Sequence, residues 1–284
     1  MPPNPENFNP WAAMPFHFWS VVYFVFGTIV GSFLNVCIYR WTREDEDLSV
    51  ISPRSFCVSC RKPIVWYDNV PLLSYLLLRG RCRQCLEPIS LRYPVVEALT
   101  AFAFLGFVFW HGPTLVALKY CLFSALLIAL VFADLEARIL PDELTLGGTL
   151  AGIVLAGVVP VDDAVAETLL ALLGLEPGPR LASIAEAALG AALPPVFLWL
   201  GGFLYEKIRG REGLGFGDVK MLAMIGAFLG LRESLWTLIV GSLAGSILGL
   251  LYILITRRDP STYELPFGTF LGAAALGVAA YASA

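Results

Sequence analysis

The chain has 284 residues, of which 57% are apolar and only 15% charged, and its mean hydropathy is +0.73. With 19 Lys and Arg and 23 Asp and Glu, too few and too clustered to cover a soluble domain of this length, the chain cannot be a soluble fold, a disordered segment or a coiled coil, and an all-α polytopic membrane protein is expected. The net charge of −4 and pI near 5.3 leave no broad cationic face, so no nucleic-acid partner is expected and the lipid bilayer is.

The N-terminal MPPNPENFNPWAAM lacks the basic region of a cleaved signal peptide, so the first apolar stretch, 17–39, is expected to stay as a membrane span. A bilayer core needs about 20 apolar residues per helix, and seven further stretches approach that length: 94–110, 115–133, 143–160, 182–206, 219–231, 234–255 and 264–282. About eight transmembrane helices are therefore expected, those at 94–110 and 219–231 being short. Eight alternating spans put every Lys and Arg except Lys119, Arg180 and Arg232 on one side, which the positive-inside rule makes cytoplasmic, with both termini outside. Three parts follow: an external N-terminus and first helix at 1–39, a polar cytoplasmic insertion at 40–93, and a transmembrane core at 94–284. Within the core, 161–181 carries Asp162, Asp163 and Glu167 and is expected to be an external loop with a short interfacial helix at 164–174. Gly226, Gly230, Gly241, Gly245 and Gly249 recur at intervals that permit close helix packing.

The insertion holds two CxxC pairs, Cys57/Cys60 and Cys82/Cys85, close to the spacing of a four-cysteine zinc site. So short a polar segment buries little core, and a structural zinc ion would staple it in a reducing compartment. Two disulfides and a thiol redox pair are the alternatives. Cys37 and Cys121, inside apolar stretches, read as small buried hydrophobes.

A carboxylate at the edge of a membrane span is costly enough to suggest function. Asp134, in LVFADLEARILPDELTL, and Asp218, in GLGFGDVKMLAMIGAF, fall at the same cytoplasmic depth and could meet across a bundle. Two such groups a few ångströms apart share one proton, and one can act as base while the other acts as acid, the chemistry of water-mediated peptide hydrolysis. Gly215 and Gly217 would allow close backbone approach there, and Lys220, two residues after Asp218, is expected to support the site. Otherwise Asp218 is a helix cap, Asp134 pairs with Arg138, and the carboxylates belong to a transporter relaying protons or cations. Asp142 reads as the cap of the fourth span, and His17 and His111 as interfacial. No GxSxG, HExxH, P-loop or dinucleotide fingerprint is present.

GSFLNVCIYR (31–40), the CxxC pairs, YDNVPLLSYLLLRGRCRQC (67–85), ISLRYPVVE (89–97), DLEARILPDELTL (134–146) and GFGDVKMLA (215–223) together resemble the bacterial type IV prepilin peptidases, aspartic proteases of the GxGD type. The similarity runs in order from about residue 27 to 275. It implies that Asp134 and Asp218 are the catalytic pair and that substrates are type IV prepilins and type II secretion pseudopilins, cut after a glycine that ends a basic leader. It also implies an inner-membrane protein that methylates the new N-terminal residue from S-adenosylmethionine, near the cytoplasmic segment and adjoining spans. Glu44, Asp45, Glu46 and Asp47 could attract the leader or serve only as solvated loop charge. The insertion at 161–181 looks long for the family and lies opposite the expected site.

Overall fold

The computed structural model describes residues 16–43, 55–161, 165–172, 174, 178–210, 213–256 and 266–283. Among these, ten α-helices and no strand are formed: α1 (Phe16–Trp41), α2 (Leu73–Leu77), α3 (Arg92–His111), α4 (Leu115–Ala137), α5 (Asp142–Ala156), α6 (Val165–Leu172), α7 (Pro179–Arg209), α8 (Phe216–Leu229), α9 (Leu231–Thr256) and α10 (Phe267–Ser283). Helices α1, α3, α4, α7 and α9 are long and apolar enough to cross a membrane, and α10 is apolar over 17 residues. The chain is thus a helical, multi-pass membrane protein.

Each expected apolar stretch contains one helix, but the lengths differ from expectation. The stretch at 94–110 reaches a full 20 residues because α3 begins at Arg92. That at 143–160 stops early: α5 has 15 residues and ends at Ala156, with Gly157 as its cap. The short helix expected at 164–174 is α6, of 8 residues. Glu44 to Asp47, Asp162 and Asp163 lie outside the described residues.

Helix ends are set by local chemistry. The Thr114 side chain accepts from the Ala117 amide at 3.3 Å and starts α4; Arg138, left-handed at φ 56°, ends it by donating its backbone N–H to the Asp134 carbonyl. Gly230, at φ 88° and ψ −177°, ends α8 in a more extended backbone conformation, its N–H donating to the Gly226 carbonyl.

Close packing of the bundle depends on glycine. α1 lies along α3, where a Cβ on Gly31 would stand 2.7 Å from the Glu97 Cα. α7 lies against α8, where one on Gly190 would meet the Gly226 carbonyl oxygen at 2.5 Å. Between α4 and α8 the core is apolar, with the Phe123 and Phe228 rings stacked at 5.0 Å and Leu127, Leu130, Met221 and Ile225 fully enclosed. Cys37 and Cys121 are both 1% exposed.

Polar contacts fix the two ends of the bundle. At one end Arg92 of α3 pairs with Glu136 of α4, Lys220 of α8 with Asp142 of α5, and Thr269 of α10 with Asp134 of α4. At the other, Ser183 of α7 accepts from the Val161 amide at 2.9 Å and donates to the Ala156 carbonyl at 2.7 Å. There the fully buried Glu186 carboxylate also receives the amides of Ala166 and Leu231, in the first turns of α6 and α9. The cysteine segment joins the first end through the Leu72 amide, which donates to Glu97 at 2.8 Å.

Candidate active site and metal centre

Asp134 lies in the last turn of α4 and Asp218 in the first turn of α8, and each is under one-tenth exposed, at 5% and 9%. The start of α10 brings them together. A Cβ placed on Gly268 would stand 3.1 Å from Asp218 Oδ1 and 3.2 Å from Asp134 Oδ2. The two oxygens are therefore no further apart than those distances combined, close enough to face one small space. Any side chain at 268 would fill that gap. Thr269 then holds one partner in place: its backbone N–H and its hydroxyl both donate to Asp134 Oδ2, at 2.6 and 2.7 Å. Sequence reasoning missed Gly268 and Thr269, because PFGTF reads only as the polar edge of an apolar stretch.

The other expected residues occupy distinct positions. Gly215 is the residue preceding α8, and a Cβ there would approach Asp218 Oδ2 at 3.3 Å; on Gly217 it would press on Leu140 at 3.1 Å. Asp218 is the third residue of its helix and does not cap it. Asp142 does not cap α5 either: Pro141 holds that position, and Asp142 Oδ1 accepts from Lys220 Nζ at 2.6 Å. Lys220 thus ties α8 to α5 through Asp142. The Asp134 carbonyl accepts the Arg138 backbone N–H at 2.9 Å.

The four cysteines converge. One sulfur from each of Cys57, Cys60, Cys82 and Cys85 lies within 4.8 Å of all the others, and Cys57 and Cys85 are 3.8 Å apart. Tetrahedral zinc with bonds of about 2.3 Å requires sulfurs separated by about 3.8 Å, so this set suits zinc. The two knuckles repeat one design. In each, the first Cys carbonyl accepts the amide four residues on, from left-handed Arg61 or Leu86, and its amide donates to the carbonyl five residues on, at Lys62 or Glu87. The backbone amides of Cys85 and Gln84 bring the Cys82 thiol down to about 7, toward the thiolate a metal needs. None of the four is paired as a disulfide.

The fold is thus a bundle of apolar helices with two enclosed carboxylates at one end, joined to a four-thiol cluster that could hold a metal ion. Residues 25–111 match the family model of the bacterial peptidase A24 N-terminal domain, and 121–254 that of the type IV leader peptidase family. A prepilin leader peptidase/N-methyltransferase from Aeromonas hydrophila is 36% identical over 92% of this chain and 90% of that protein. Proteins of the same name are 34% identical in Legionella pneumophila, over 89% of this chain and 88% of that one, and 38% identical in Myxococcus xanthus, over 84% and 64%. No solved structure matches. The chain belongs to the type IV leader peptidase family and is an enzyme of the peptidase and N-methyltransferase kind that its relatives' names describe.

Proposed function

We propose that the protein removes the basic leader of type IV prepilins and type II secretion pseudopilins, cutting after a glycine at the cytoplasmic face of the bacterial inner membrane, and then methylates the exposed N-terminal residue from S-adenosylmethionine. The observation that carries the peptidase reading is the approach of Asp134 and Asp218 to one glycine, Gly268, at the end of the bundle that also bears the cysteine segment.

The pair works as a proton-sharing dyad. One carboxylate takes a proton from the bridging water, whose oxygen forms a bond to the glycyl carbonyl carbon; the protonated partner assists the carbonyl oxygen, and the proton is then delivered to the leaving amine as the C–N bond breaks. Thr269, by holding Asp134 Oδ2, fixes which edge of that carboxylate faces the water. A prepilin presents its charged leader to the cytoplasm and its apolar helix to the bilayer, so the scissile bond falls at the depth of these helix ends. Within this reading the chain divides as 1–39, 40–93 and 94–284: N-terminus and first of eight spans, metal-stapled cytoplasmic insertion, and peptidase core. Zinc held by Cys57, Cys60, Cys82 and Cys85 would be structural, since four thiolates leave it no open position.

The test is incubation of purified protein with a prepilin, read by intact mass with and without S-adenosylmethionine, beside Asp134→Asn and Asp218→Asn. Loss of the leader and gain of one methyl are expected for the parent, and no cleavage for either folded variant. Normal cleavage by one variant removes that residue from the pair. No cleavage by the parent of any of several prepilins returns the carboxylates to a transport role.

A further inference from the structure

A cavity of about 970 Å³ opens between the cysteine segment and the adjoining ends of α1, α3 and α4. It is separate from the aspartate pair, yet Leu135 and Glu136, the two residues after Asp134, form part of its wall. Three other wall residues carry buried polar atoms without hydrogen-bond partners: Asn35 Oδ1, the Tyr39 hydroxyl and Arg92 Nε. Asn35 and Tyr39 are only 1% and 6% exposed. The Asn35 amide donates to the carbonyls of Gly31, at 3.3 Å, and Tyr93, at 3.0 Å, which turns its NH2 inward and leaves its oxygen as an unanswered acceptor. Folded proteins rarely leave such groups unpaired, and three lining one cavity mark where a bound molecule's complementary atoms, or the waters it displaces, would sit.

We propose that this cavity is the binding site of the methyl donor S-adenosylmethionine. The inference rests on the methyl-transfer half of the function proposed above, and it assigns residues to it. An α-amino-acid end supplies both missing partners, an ammonium donor for Asn35 Oδ1 and a carboxylate acceptor for Arg92 Nε, with the Tyr39 hydroxyl able to serve either. Phe56 and Tyr67 also line the cavity, each with an Arg guanidinium over one ring face, at 5.3 Å from Arg61 and 5.7 Å from Arg83, and an adenine would stack on the other face. The volume suits a ligand of that size. The position suits the chemistry too: an amine released at Asp134 emerges within two residues of the cavity wall. Transfer forms the N–CH3 bond from the amine lone pair as the CH3–S bond breaks, leaving a neutral thioether, and the amine's surplus proton passes to water.

Binding of S-adenosylhomocysteine, which cannot be turned over, to metal-loaded full-length protein in lipid nanodiscs tests the site by calorimetry. Tyr39→Phe removes only a hydroxyl that is unpartnered in the free protein, so its melting temperature should equal the parent's while Kd rises about tenfold, the loss of one hydrogen bond to a charged ligand. Asn35→Leu, compared at equal metal content, should weaken binding further. An azido-adenine analogue of the donor should label peptides from 35–43, 56–67 or 92–97 in the parent, a readout independent of any variant's folding. Parental Kd in Tyr39→Phe together with labelling elsewhere overturns the site while leaving methyl transfer intact. A parent that cleaves prepilin but neither binds nor transfers overturns the methyl-transfer reading, and this site with it.

Discussion

Thr269 makes two hydrogen bonds to a single oxygen of Asp134, and each does a different job. The backbone N–H is present whatever the side chain, so substitution tests only the hydroxyl. Thr269→Val should lower kcat for prepilin cleavage about tenfold, the worth of one hydrogen bond to a charged acceptor, with KM little changed; Thr269→Ser should restore it. Gly268→Ala is harsher. Its methyl group would stand 3.1 to 3.2 Å from both carboxylates, in the space a bridging water needs, so cleavage should fall below detection in protein that still melts cooperatively. Steady-state kinetics on the three variants check both statements. Retained activity in Gly268→Ala would show that the carboxylates do not work across that gap.

Among the helices, the most consequential single group away from the site is Glu186. It is fully buried in α7, and its two oxygens accept amides from the first turns of α6 and α9, donors that the helices cannot satisfy themselves. One carboxylate thus fixes where two helices begin. Glu186→Ala leaves both amides buried without that acceptor and should cost about 2–4 kcal/mol, while Glu186→Gln, which keeps one oxygen, should cost about half as much. Denaturation in mild detergent gives the difference. Because Glu186 lies at the end of the bundle remote from Asp134, cleavage per folded molecule should stay at the parental level. The two short helices α5 and α8, at 15 and 14 residues, are tied to each other by the Lys220–Asp142 pair near their N-termini.

At the scale of the whole molecule, the cysteine segment and the bundle are one device. Glu97 of α3 holds the Leu72 amide, Arg92 pairs with Glu136, and the cavity they border runs up to the residue after Asp134. A metal ion held by the four cysteines would staple so short a polar segment, with few enclosed side chains, in that arrangement. Elemental analysis should find about one zinc per chain in the parent and a marked loss in Cys57→Ser, which removes one of four ligands. The loss should also raise the protease sensitivity of 55–91 while leaving the bundle helical by circular dichroism. No stoichiometric metal in the parent would exclude the staple.

Much of this was legible along the chain because the signals are local. A carboxylate at the end of an apolar run announces a desolvation cost wherever the run folds, which is why Asp134 and Asp218 stood out. Likewise CxxC carries its own turn, so two of them specify four converging sulfurs. Composition settled the membrane class, and the apolar stretches placed the helices to within a few residues at each end. The tertiary structure decided what pairs with what. Thr269 reaches Asp134 across 135 positions and Lys220 reaches Asp142 across 78, and no periodicity records either contact. Asn35 and Tyr39 read as ordinary residues of an apolar helix until packing encloses them without partners. The sequence by itself determined which groups are expensive to bury, since that is a property of each group; only the fold determined which of them answer one another, since that depends on where distant segments meet.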